Sequence, residues 1–189
     1  MTPELWKMYR QLSQDERMDS AGQINTIQAT AAILAGYSPV LCVGCGDGTE
    51  LSFFPGATGF TLNAGALLPA ARQRHDVVVG DMHALPFRDG TFDAIFCKDC
   101  FEHALAPSIA LSELCRVVRR AVLLVTPDEY WECSPKHPLT PTVRQISVMA
   151  WKLGWDTQVS DLECGSSMDA LTRGEVEYTL HMCLLTRKP

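Results

Sequence analysis

Nothing in this chain of 189 residues approaches the roughly 18 consecutive apolar residues that a membrane span requires. Its first stretch, MTPELWKMYRQLSQDER, carries charge throughout and lacks the basic-then-apolar pattern of a leader. The reading is a cytoplasmic chain without a membrane partner. Positive charge is scarce as well: 16 Lys and Arg stand against 22 Asp and Glu, a net charge of -6. Neutralising phosphates needs clustered cations, and only Arg116, Arg119 and Arg120 cluster, read here as a solvated helix end. A nucleic-acid partner is not expected. Internal repeats, low-complexity tracts and linker-like stretches are also missing, and the length suits one domain over residues 1–189.

Cysteine is not scarce, yet its spacing fits no metal framework. Eight cysteines in an intracellular chain are read as small buried hydrophobes. Cys42 and Cys45 form one Cys-x-x-Cys pair, and Cys97 and Cys100 form another. Residues 46 to 96 separate the pairs, far beyond zinc-ribbon spacing. Cys42 falls inside an apolar run that turns its side chain to a sheet face, while Cys45 follows in a loop. No metal is assigned.

What the sequence does hold is an alternation of short apolar runs and helix-compatible segments. Leu5, Met8, Tyr9 and Leu12 recur at helical spacing behind Thr2-Pro3, and Ile24, Ile27, Ala31 and Leu34 repeat the pattern until Gly36. Pro39 to Val43 then reads as a strand buried on both faces. Further strand runs lie at 57 to 62, 76 to 80, 92 to 97 and 121 to 126, with helices expected at 64 to 74 and 107 to 118. That alternation predicts a parallel sheet. A polar and aromatic loop follows Pro127, then a helix from about Pro141 to Leu153, and a strand at WDTQVSDLE. In the last segment Val176, Tyr178, Leu180, Met182 and Leu184 alternate on one face, which predicts a closing antiparallel hairpin.

Gly44, Gly46 and Gly48 alternate at the end of the first run, where the backbone can turn tightly and approach a ligand without a Cβ in the way. Loops at the carboxyl ends of parallel strands bind nucleotides. The dinucleotide fingerprint is disfavoured, because counting from Gly44 puts the branched Thr49 where a third glycine or alanine should pack.

The glycine loop, then GDMHALPF, then FDAIFCKDCFEH, then a helix ending ELCRVVRR, resembles the class I S-adenosyl-L-methionine (AdoMet)-dependent methyltransferases, especially the metal-independent type 11 group. The resemblance covers residues 39 to 127, and its specificity lies in the order and spacing of four blocks. It implies a Rossmann-like, doubly wound α/β fold: a seven-stranded, mostly parallel sheet with an antiparallel last strand, in three α/β/α layers. Residues 1–36 would add two N-terminal helices, 37–127 the AdoMet-binding core, and 128–189 the acceptor-side loop, helix and hairpin.

The resemblance also implies roles. Gly44, Cys45, Gly46 and Gly48 would line the methionine part of AdoMet, mostly through backbone atoms. Asp81 would accept from the adenine amino group, with the Met82 N–H at the ring. Lys98 joins this cofactor-binding set. Two positions depart from the family. Cys42 stands where the family usually has an Asp that orients the loop and the methionine amino group. Asn63 stands where an acid usually holds both ribose hydroxyls, offering one acceptor and one donor instead. Each lost charge-assisted hydrogen bond would cost about 1 to 3 kcal/mol, so weaker cofactor binding is expected.

Transfer from a sulfonium mainly needs alignment, helped by a group that takes the acceptor's proton. Asp99, His103 and His137 are the candidates, although the Glu102-His103 pair in this family often serves to start a helix. Asp99 would face the methionine ammonium or sulfonium, and Phe101 would add a cation-π contact. Tyr130, Trp131 and His137 would wall the acceptor side. No cap insertion is present, and the Asn-Pro-Pro-Tyr motif of amino-methylating nucleic-acid enzymes is absent at CKDC. The expectation is an enzyme, monomeric or homodimeric, that uses AdoMet, yields S-adenosyl-L-homocysteine (SAH) and methylates an O, N or C atom of a small-molecule or terminal acceptor. The alternative is an inactive binding or scaffold module on the same fold.

Overall fold

The computed structural model describes residues 21–62, 75–127, 140–164 and 178–188. The helices expected at 3 to 12 and 64 to 74, and most of the loop after Pro127, lie outside the described residues. Within them, helix α1 (Ala21–Ile33) leads into strand β1 (Val40–Val43), a 3-10 turn (Thr49–Phe53), β2 (Thr58–Thr61) and β3 (Val77–Val79). Strand β4 (Phe92–Lys98), a second 3-10 turn (Phe101–His103), α2 (Pro107–Val117) and β5 (Val118–Pro127) follow, then α3 (Val143–Lys152), β6 (Trp155–Cys164) and β7 (Tyr178–Arg187).

The strands form one seven-stranded sheet in the order β3-β2-β1-β4-β5-β7-β6. Strands β1 to β5 pair in parallel, and β7 inserts antiparallel between β5 and β6. This is the expected mostly parallel sheet with an antiparallel last strand. The order reverses at β1, which has β2 on one side and β4 on the other, and such a switch point is where open α/β sheets bind ligands.

Both faces of the sheet are covered, which explains why β1 and β5 read as continuous apolar runs. On one face Leu111 and Leu114 of α2 and Ile146 of α3 pack on Val43, Ile95 and Val122. On the other, Ala31 of α1, Leu34 just after it and Leu51 of the first 3-10 turn pack on Val40, Phe96 and Leu123. Strand β7 was expected to bury one face, but Cys183 and Leu185 are fully buried on the α2 side while Leu180 is buried on the α1 side. It lies between β5 and the edge strand β6, with apolar residues on both faces.

Helix α2 starts with Pro107 at its first turn, where a missing N–H costs nothing. It ends one residue earlier than expected and passes straight into β5, since Val118 adopts extended backbone at φ -111° and ψ 148°. Arg119 and Arg120 are therefore strand residues, not part of a solvated helix end. Arg119 pairs with Asp93 and Arg120 stacks over Tyr37 at 4.5 Å. Helix α3 carries a capping box: the Thr142 side chain accepts from the Gln145 N–H, and the Gln145 side chain accepts from the Thr142 N–H.

Candidate functional site

The carboxyl end of β1 opens into residues 44 to 48, and the three alternating glycines all have positive φ: 81° at Gly44, 47° at Gly46 and 89° at Gly48. Side-chain-bearing residues rarely adopt this conformation, so the spacing sets the loop's path. Gly44 and Cys45 donate to the Phe60 carbonyl at 2.8 and 3.2 Å, which ties the loop to β2. A Cβ on Gly44 would stand 2.5 Å from Cys100 Cβ, so the loop after β4 packs directly on the first glycine. A Cβ on Gly46 would meet only the Gly44 carbonyl, at 3.8 Å, and Gly46 is exposed. That glycine faces open space, as a cradle for a ligand requires.

Beside the loop lies a cluster of charge that the sequence only half announces. Lys98 ends β4 with 2% of its surface exposed and forms an ion pair with Asp99. Asp99 takes a positive φ of 46° and donates its N–H to the Val125 carbonyl at 3.0 Å. Strained backbone of this kind in a non-glycine residue gathers at functional sites. Glu50, in the first turn after Gly48, is 3% exposed, and its Oε2 has no hydrogen-bond partner among the described residues. Burial pushes its carboxyl up to about 8, with Lys98 pulling the other way and Asp99 and Asp47 adding to the rise.

At the edge of the sheet, Asp81 follows β3 and accepts on Oδ1 from both the His83 N–H (3.0 Å) and the His83 ring Nδ1 (2.5 Å). The other ring nitrogen, Nε2, accepts from the Ala106 N–H at 3.1 Å, which requires the proton on Nδ1 and a neutral ring. Among the described residues both bonds to Asp81 fall on Oδ1, which leaves Oδ2 to accept from a ligand. His83 thereby joins the loop after β3 to the residue preceding α2. A second tie lies alongside: Arg116 donates to the Leu85 and Phe87 carbonyls (3.0 and 2.8 Å), and Glu113 accepts from the Leu85 N–H at 2.8 Å. The Arg116 guanidinium holds the Glu113 carboxyl below the usual range.

One expectation changes on this geometry. Phe101 is fully buried in the core on the α2 side, so it packs and offers no ring face to a cation. Met82 also packs against that core, leaving its backbone as the part free for recognition. His103 is half-buried at the end of the 3-10 turn and donates its N–H to the Cys100 carbonyl, which closes that turn. Asn63 and His137 lie outside the described residues. The sequence reading missed Glu50 and His83. A charged residue between Thr49 and Leu51, next to the glycine loop, was the available signal for Glu50. His83 sat inside a quoted block, but its bond to Ala106 spans 23 residues and leaves no local trace.

The cysteine pairs divide between the two layers. Cys42 and Cys45 belong to the α1 side, Cys97 to the α2 side with Cys100 packed against it. Adjacent pairing of Cys42 with Phe96 and of Val43 with Cys97 imposes that split. Burial pushes the Cys45 thiol up to about 12 and raises the Cys42 thiol well above its ordinary value, as packing in a core does. A cavity of about 300 Å³ lies elsewhere, lined by Gln28, Ala32, Tyr37, Phe53 and Pro55 at the amino ends of β1 and β2. Ligands of open α/β sheets bind at the other end, so it is set aside.

Residues 41–126 match the family described as Methyltransferase domain, of type 11. An uncharacterised 37.1 kDa transposon protein of Streptomyces fradiae is 28% identical over 133 residues, 64% of this chain and 39% of that protein. The chain thus spans about two fifths of that relative's length. Among solved structures, a SAM-dependent methyltransferase of Thermotoga maritima superposes with a TM-score of 0.71 at 18% identity, covering 97% of this chain and 100% of that one. Magnesium protoporphyrin IX methyltransferase of Synechocystis PCC 6803, solved with bound SAH, superposes at 0.67 with 14% identity, covering 98% and 95%. Residues 41–126, which hold the glycine loop and the switch point of the seven-stranded sheet, are thus similar to the methyltransferase domain family, and the whole sheet shares its fold with solved SAM-dependent methyltransferases.

Proposed function

We propose that the chain binds AdoMet across the carboxyl ends of β1 to β4 and moves its methyl group to an oxygen, nitrogen or carbon atom of a small-molecule acceptor. When bound, AdoMet supplies a methyl group on an already activated sulfonium, so in-line displacement calls for neither a metal nor a protein nucleophile. The observation that carries the reading is the cradle itself: three left-handed glycines, the middle one facing open space, beside a buried carboxylate oxygen without a partner. A backbone-lined site with an unpartnered, ionisable carboxyl of this kind suits a ligand that bears an ammonium and a sulfonium.

In this proposal Gly44, Cys45, Gly46 and Gly48 offer backbone atoms to the methionine end, and Lys98 with Asp99 frames it. Asp81 accepts from the adenine amino group through Oδ2, with the Met82 N–H beside it, and Asn63 holds the ribose. Asp99, His103 and His137 are the groups proposed to steer the acceptor and take its proton. The acting form is proposed as a cytoplasmic monomer or homodimer of one domain, without a nucleic-acid or membrane partner. Among the described residues no helix is long and apolar enough to cross a membrane. The test is transfer of labelled methyl from AdoMet to a low-molecular-weight cell-extract fraction. Label in a small molecule supports the proposal, and no label from protein that binds AdoMet contradicts it. The latter outcome would favour the second reading, a non-catalytic AdoMet-fold module, for which the specific observation is the buried neutral thiol of Cys42 in an acid's usual place.

A further inference from the structure

We propose that the Glu50 carboxylate receives the α-ammonium of the methionine end of AdoMet and so replaces, from a different position in the chain, the acid absent at Cys42. The inference rests on the AdoMet reading above and assigns one residue within it.

Four observations converge on Glu50. It stands in the first turn after Gly48, so the loop that would hold the methionine end delivers it directly. It lies close enough to Cys42 to push that thiol upward, which places its charge in the neighbourhood that the family's acid would occupy. It is 3% exposed, yet Oε2 lacks a hydrogen-bond partner among the described residues. A buried acceptor left unsatisfied costs about 1–3 kcal/mol, more when charged, so such an atom is rarely left without a purpose. Finally, the cation beside it is already engaged, because Lys98 pairs with Asp99.

Charge balance explains why the site waits for a cation. The groups facing Glu50 are Asp47 from its own loop, Lys98 and Asp99 from β4 and its end, and the thiols Cys42, Cys45 and Cys97. Lys98 and Asp99 neutralise one another, Asp47 adds negative charge, and the thiols are neutral. Without ligand, Glu50 therefore keeps its proton at neutral pH, its carboxyl being pushed up to about 8. An arriving ammonium supplies the missing positive charge, Glu50 ionises, and its proton leaves to solvent.

The experiment compares SAH with 5′-methylthioadenosine, which carries the same nucleoside and thioether sulfur but no amino-acid end, by calorimetric titration of wild type and Glu50→Gln. Glu50→Gln should weaken SAH about ten- to hundredfold, the loss of a charged hydrogen bond, and leave methylthioadenosine within about twofold. Equal weakening of both ligands would reveal a purely structural role and overturn the proposal, as would unchanged SAH affinity. Wild type that binds neither ligand would overturn the AdoMet reading itself. A second readout needs no variant: repeated at pH 7 in buffers of different ionisation enthalpy, SAH binding to wild type should release up to about one proton. Release below about a tenth of a proton would overturn the assignment.

Discussion

Replacing Glu50 by Gln keeps the shape of the side chain and removes its ability to ionise, so it measures what burying this carboxyl costs the empty fold. The ordinary value of 4.5 rises to about 8 because burial outweighs the pull of Lys98. Between those two values the folded protein holds a proton that the unfolded chain has released. Stability must then fall as pH rises from about 4.5 to about 8, and level off above. At about 1.36 kcal/mol per unit, a shift of roughly 3.5 units amounts to a loss on the order of 5 kcal/mol across the window. That is comparable to the whole stability of a marginal domain, about 5–15 kcal/mol. Urea unfolding of both proteins between pH 4.5 and 9 is the assay. Wild type should lose stability across the window, and Glu50→Gln should remove most of that slope and be the more stable protein at pH 8.5. Parallel pH profiles for the two proteins would refute the buried-carboxyl account.

Three further substitutions probe the frame around the site. Gly44→Ala places a Cβ 2.5 Å from Cys100 Cβ on backbone at φ 81°, so thermal melting should fall steeply, and Cys100→Gly in the same chain, which removes that Cβ, should restore only part, because about 1–2 kcal/mol of left-handed backbone strain stays. Arg116→Ala removes the donors that hold the Leu85 and Phe87 carbonyls and should speed hydrogen exchange at the Leu85 amide while that of the β5 core amides is little changed. Thr142→Ala removes the cap of α3 at about 1 kcal/mol, a drop of about 2–4 °C in Tm by calorimetry.

The parts of the fold that were legible in the sequence are those where one face or both had to be apolar. The Val40–Val43, Phe92–Lys98 and Val118–Pro127 strands announce themselves because they are buried between two layers, and Gly36 and Gly154 mark helix ends with left-handed backbone. The passage from α2 to β5 without a turn was not legible, since Val117 and Val118 suit either state and only the pairing of Val118 with Phe92 decides. In the site, the glycines were readable because their spacing dictates backbone conformation before any packing occurs. Glu50 and His83 were not, because their meaning comes from Lys98, Asp99 and Ala106, which lie 23 or more residues away in sequence. The Cys42 and Cys97 pairs show the reverse: two Cys-x-x-Cys motifs look alike locally, and strand register sends them to opposite layers.

The most direct measurement of the central claim is the melting temperature of the purified chain with SAH added in excess. At a hundredfold excess over Kd, a ligand bound only by the folded state adds about 2.7 kcal/mol, which for a domain of this size is a rise of about 5–10 °C. The strand-end site predicts that rise, and it predicts that Asp81→Ala reduces it. An unchanged melting temperature at millimolar SAH would contradict it.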